Sequence, residues 1–138
     1  MGCRVSNANK RKGTAFESAV RDYAQRFGHK AFRPAQMGAG DIGDVHVDGL
    51  LCVQAKDTAS HRFSEWLQDV EDQRVRAGLP FGVVVAKRRR AGVGDAYAVM
   101  DVDTLLGLVR RVEVAEQLLW GTGQKPVYEQ IVDERSAR

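Results

Sequence analysis

The sequence is poor in cysteine, in histidine and in long apolar runs, and each scarcity closes off a class of function. Cys3 and Cys52 are the only cysteines in 138 residues. One lies in a polar leader and the other in an apolar stretch of strand character, so no disulfide framework is expected, and a reducing cytoplasm suits the chain. His29, His46 and His61 are scattered and lack metal-ligand spacing with the cysteines, which argues against zinc. No apolar run approaches the length of a membrane span, and the start shows no apolar signal-peptide core. There is no Walker A sequence, internal repeat or low-complexity tract, and no serine or cysteine has an evident base partner.

What is present describes an ordinary globule with an uneven charge distribution. The apolar fraction is 43% and the charged fraction 28%, and the length suffices for one domain with one core. Net charge is only +3, but the cations cluster. Arg4, Lys10, Arg11 and Lys12 load the leader, and Lys87-Arg88-Arg89-Arg90 form a compact run. Two such clusters suit a polyanion, with nucleic acid the commonest. Either alone equally suits a solvated tail or loop.

Residues 1–13 are polar and basic without periodicity, which predicts a flexible arm. Phe16, Val20, Tyr23, Ala24 and Phe27 recur at helical spacing, so a helix is expected from Thr14 to Phe27, capped by Thr14 and stopped by Gly28. A short strand over Lys30–Pro34, a hairpin of Asp44–Val47 with Leu50–Lys56, and a helix over Ser60–Ala77 follow. Phe81–Ala86 reads as a buried strand, Ala96–Met100 as another, and a last helix capped by Asp101 or Asp103 runs to about Leu119. The domain is placed at 14–119, and the tail from Trp120 has no assignment. This order gives an α/β or α+β fold, a mixed central sheet flanked by helices.

Gly38, Gly40 and Gly43 spell the dinucleotide fingerprint, but that motif must open a helix, and Asp44-Val45-His46-Val47 alternates with the period of a strand. The hairpin itself is more informative. Leu50, Cys52, Gln54 and Lys56 share one face of their strand. A two-residue loop at Asp48-Gly49 sets Asp44 on the opposite face. A three-residue loop, Val47-Asp48-Gly49, pairs His46 with Leu50 and Asp44 with Cys52, on the face of Gln54, and the glycine at its end favours this choice.

Glu17, Asp44, Gln54 and Lys56 are the candidate site. Oxygen ligands at Asp44, Gln54 and Glu17 suit Mg²⁺, which would acidify a water and neutralise charge on a phosphate. Lys56 can orient that water and stabilise the transition state. Each residue has a plainer role as well. Thr14-Ala15-Phe16-Glu17 is a capping box, Asp44 can open a strand, Gln54 can bond a backbone, and Lys56 can mark where the strand meets water.

The pattern resembles the PD-(D/E)xK nuclease superfamily, and most its branch of archaeal-type Holliday-junction resolvases, also found in phages. Arg11-Lys12-Gly13-Thr14-Ala15-Phe16-Glu17 is similar to that branch's basic segment and acidic helix. Gly43-Asp44-Val45 stands where the family has Pro-Asp and an apolar residue, and Gln54-Ala55-Lys56 where it has Glu-x-Lys. The resemblance implies a restriction-endonuclease-like fold and an endonuclease using Mg²⁺, with Mn²⁺ as substitute. It makes Asp44 the central ligand, Glu17 a further acid and Lys56 the catalytic lysine. It also implies branched DNA as partner and a homodimer. The charge clusters place Lys10, Arg11, Lys12 and Lys87, Arg88, Arg89, Arg90 at the DNA phosphates, and no membrane role is expected. Two departures stand out: glycine for proline at 43, taken as harmless, and the neutral Gln54 for an acid. The second leaves open a binding module that has lost catalysis, or a restriction- or repair-type nuclease. Asp41 is a carboxylate close enough in sequence to supplement the ligands.

Overall fold

In the computed structural model of the chain, residues 7–35 and 40–121 are described. The elements are α1 (Asn7–Arg26), β1 (Ala31–Phe32), β2 (Val45–Val47), β3 (Leu51–Lys56), α2 (Phe63–Ala77), β4 (Phe81–Ala86), a 3-10 turn at Val93–Asp95, β5 (Tyr97–Val99) and α3 (Val102–Trp120). They fall into two compact units, divided between Asp101 and Val102, where a single domain over 14–119 was expected. The first unit is an α+β fold built on one five-stranded sheet in the order β1-β2-β3-β4-β5. β3 and β4 run parallel, joined through α2, and the other pairings are antiparallel.

Alternation along β2 and β3 splits the core in two. Val45, Val47, Val53 and Ala55 pack with Phe16 and Val20 of α1. Cys52, Val84 and Ala86 pack with Trp66 and Val70 of α2. The sheet is thus covered on both faces, as the buried run Phe81–Ala86 requires. Cys52 is a free, fully buried thiol, pushed up to about 12 by that burial, with Asp41 and Asp44 adding to the effect. It stays protonated and inert.

Two expectations need correction here. The leader is not a flexible arm over 7–13: Asn7–Gly13 form the first turns of α1. Lysine and arginine are good helix formers, and a stretch polar all round gives no periodicity by which to see it. Thr14 and Glu17 therefore both lie inside the helix, and neither caps its start. The second helix starts at Phe63 rather than Ser60, because the Thr58 hydroxyl donates to the Ser60 carbonyl at 2.8 Å and holds a bend there.

The hairpin combines both loops weighed from the sequence. Asp48 and Gly49 are both left-handed, at φ 53° and 65°, and Leu50 N donates to Val47 O at 2.9 Å. That is a two-residue turn of the hairpin type, in which glycine is at ease and aspartate tolerated. Yet Val47 pairs with Leu51, not Leu50, so Leu50 is an extra, bulged residue. The register is His46 with Cys52, displaced by two from the expected His46 with Leu50. A displacement of two preserves the face of every side chain. The paired register ends at Val45–Val53, and Asp44 N donates to Val53 O where the strand leaves the ladder.

α3 belongs to the second unit and is described by itself, as a single helix; Cys3 and most of the carboxyl-terminal tail lie outside the described residues. Among the described residues no helix is long and apolar enough to cross a membrane.

Candidate active site and nucleic-acid interface

The site starts where β2 leaves the sheet. Asp44 N donates to Val53 O at 2.9 Å, the last rung of the ladder. Gly43, at φ 91°, then turns the chain away. The next donor on β3, Ala55 N–H, is taken by the Asp44 carboxylate instead, through Oδ2 at 2.8 Å. Asp44 thus replaces a missing strand residue, and its carboxylate sits in the gap at the sheet edge. Glycine at 43 is a requirement: a Cβ there would stand 2.5 Å from Cys52 Sγ, and φ 91° is closed to proline. Glycine for proline is therefore a change of backbone path and not the neutral exchange it seemed in the sequence.

Behind the turn, Gly43 N donates to Asp41 Oδ1 at 3.0 Å, and Gln73 Nε2 of α2 donates to Asp41 Oδ2 at 2.9 Å. Asp41 thus braces the loop from two sides. Burial raises the Asp44 carboxyl to about 6, the Ala55 N–H opposes it, Glu17 and Asp41 raise it further, and Lys56 lowers it. A carboxyl so placed is harder to ionise than a free one, and a cation beside it would lower it again.

On β3, next to Ala55, Gln54 is buried, at 6% exposure, and its Oε1 has no hydrogen-bond partner. An orphaned buried oxygen costs about 1–3 kcal/mol, a cost that a cation ligated there would remove. Lys56 follows on the same face at the end of β3, its Nζ 5.4 Å from the centre of the Trp66 ring.

Glu17 joins from α1. It lines one cavity of about 620 Å³ with Asp44, Gly43, Lys10, Thr14 and Arg33. Its Oε2 accepts from the Arg33 guanidinium at 2.5 Å, and Arg33 also donates to Ser18 Oγ at 3.2 Å. Asp44 and Glu17 therefore share one cavity, with the Glu17 acid partly neutralised by an arginine that sequence reasoning passed over. Among the described residues, no three His, Cys, Asp or Glu side chains group as a metal cage. The available donors are two carboxylates and the Gln54 amide.

The two basic clusters, far apart in sequence, meet. Asp57 is held between Lys12 Nζ at 3.4 Å and Lys87 Nζ at 3.5 Å, with its side chain 9% exposed. A second cavity, about 460 Å³, is lined by Lys12, Asp57, His61, Lys87, Arg88, Arg89, Arg90 and Tyr97 among others. Lys87 N donates to Lys56 O at 2.9 Å, so this cationic groove adjoins the end of β3. Lys10 lies instead in the cavity of Glu17 and Asp44, and Arg11 lines a shallower pocket along α1 with Lys10, Thr14 and Ser18. The amino-terminal half of α1 thus lines both cavities. Sequence reasoning missed Arg33, Gln73 and Asp57. Only Gln73 left a signal, as a polar residue on the apolar stripe Phe63, Trp66, Val70, Ala77.

No protein-family model matches the chain, and no curated protein matches it. Among solved structures it is similar to Archaeoglobus fulgidus Hjc, a Holliday junction resolvase from an archaeal hyperthermophile. The TM-score is 0.46 and the identity 18%, over 68% of this chain and 93% of that one.

Proposed function

We propose that the chain is a divalent-metal-dependent endodeoxyribonuclease that hydrolyses phosphodiesters in branched DNA, most specifically in four-way junctions. The observation that carries this reading is the desolvated Asp44 carboxylate sharing a cavity with Glu17, on a sheet whose buried Gln54 Oε1 has no hydrogen-bond partner. Such a pair fits a hard cation, with Asp44 and Gln54 as protein ligands, Glu17 as the acid beside them, and water completing the shell. Bound there, Mg²⁺ or Mn²⁺ supplies charge neutralisation at the phosphate and a lowered pKa for water.

The chain's own residues do the rest. Ala55 N–H fixes the Asp44 carboxylate through Oδ2. Asp41 and Gln73 hold the loop that carries it. The Lys56 ammonium, supported on Trp66, places a point charge where the pentacovalent phosphorane develops and positions the attacking water. Lys12 and the Lys87–Arg90 run hold the strand by its phosphates, which orients DNA without reading its sequence. That property suits recognition by shape, as branched DNA requires. Resolution of a four-way junction needs two cuts, and each chain carries one site, so the working form is a homodimer.

A second reading, a DNA-binding module without catalysis, is favoured by the Arg33–Glu17 pair, which occupies an acid the metal would use. Incubation with a four-way junction and with linear duplex, in Mg²⁺, Mn²⁺ or EDTA, separates the two. The nuclease reading expects metal-dependent junction cleavage that Asp44→Asn and Lys56→Ala each abolish while binding persists. Binding without cleavage in either metal establishes the second reading. Cleavage of duplex and junction alike redirects the first to a restriction- or repair-type target.

A further inference from the structure

The cationic groove has a feature that phosphate binding does not call for. His61 and Tyr97, both exposed, meet at its wall with ring centres 6.2 Å apart and planes at 82°. His61 is backed by Phe63, stacked at 4.9 Å, and by Trp66, edge-on at 6.0 Å. Tyr97, 47% exposed, carries the Arg88 guanidinium 5.2 Å from its ring centre. Trp66 in turn carries Lys56. A continuous row of contacts therefore runs from Lys56 through Trp66 and His61 to Tyr97 and Arg88. Two exposed rings at right angles form a corner that accepts a flat π-system on one ring and its edge on the other. Paired bases are not available to such a corner, because their faces are stacked inside the duplex.

We propose that this corner receives an unpaired base, so that the groove selects nucleic acid with a single-stranded or unstacked nucleotide a few positions from the cut. The inference rests on the nucleic-acid reading given above, and names its substrate class. Lys12 and Lys87, held by Asp57, and Arg88 hold the flanking phosphates, and His61 and Tyr97 hold the base. Stacking is indifferent to base identity, so the preference is for structure and not for sequence.

The test uses the full chain in EDTA, so that binding is read without cleavage. The probes are a single strand and a branched duplex with one 2-aminopurine at an unpaired position, and a fully paired duplex of equal length. Binding should quench the unpaired 2-aminopurine. His61→Ala and Tyr97→Ala should each weaken binding to the unpaired probes by about tenfold, the lower part of the range for lost base stacking, and weaken duplex binding less than twofold. Tyr97→Phe keeps the ring and should restore both quenching and affinity. Equal losses on duplex and single strand, or binding without quenching, overturn the proposal. An RNA strand of the same sequence serves as a further arm, and binding tighter than DNA would overturn DNA as the substrate. Tight, quenched binding by a protein that never cuts in Mg²⁺ would sink the nuclease reading and leave the base corner standing.

Discussion

At neutral pH Asp44 is a charge that the fold holds against its own preference, and replacing it should make the protein more stable. Asp44→Asn keeps an oxygen to accept from Ala55 N–H and removes the charge. The carboxyl is raised from 3.8 to about 6 in the folded chain. Two units at 1.36 kcal/mol each set a ceiling of about 3 kcal/mol. The sign follows from which state binds the proton more tightly. With the folded value raised, the protonated form favours folding, so this stability is fully present below about pH 3.8 and is lost as pH rises through about 6. At pH 8 the variant should therefore gain about 2–3 kcal/mol, an increase in Tm on the order of 8 °C for a chain of this size. At pH 4 the two proteins should melt nearly together. Urea or thermal melts in EDTA at the two pH values measure this directly. A Tm gain equal at both pH values, or a loss at pH 8, refutes the desolvation account. Added Mg²⁺ should raise the Tm of the wild type and leave Asp44→Asn unmoved.

Gly43→Ala must place a Cβ 2.5 Å from Cys52 Sγ at a φ of 91°, and should cost about 2–3 kcal/mol in urea melts. Gly92→Ala has open space and φ −71°, and should stay within about 0.5 kcal/mol of wild type; a Gly43→Ala variant equally unaffected would refute the close approach. Gln54→Glu adds a buried carboxylate on β3, at the position of the unpartnered amide oxygen. It should lower the Tm in EDTA and enlarge the rise that Mg²⁺ produces; an Mg²⁺ response no larger than wild type would remove Gln54 from the ligand set.

The strands and both central helices were legible because their patterns arise from burial. Phe81–Ala86 has the expected bounds because a strand covered on both faces is apolar throughout. The pairing of the two hairpin strands was also legible, although the residues of the loop were not. Turn chemistry at Asp48-Gly49 favours two residues, and only the bulge at Leu50 restores the parity. Bulges are settled by packing on both sides of the hairpin, of which the sequence shows one side. The first turns of α1 were hidden because a stretch polar all round shows no periodicity, and the Asp57 clasp because it rests on polar contacts across long separations, Lys12 to Asp57 and Lys87 to Asp57. Gln73 could have been found, since a polar residue on a buried helical stripe requires a partner.

The parallel pair β3–β4 separates two tasks that share one edge. Lys56 and Ala86 are register partners at the ends of their strands, and the loop after each strand leads into the groove. β2 pairs with the other edge of β3, and Gln54 and Lys56 lie on β3 itself. On the proposed reading, changes of length after Ala86 would alter the groove while the β2–β3 register stays fixed. Substrate grip and chemistry would then be free to diverge independently, along two loops on one side and a bulged turn on the other.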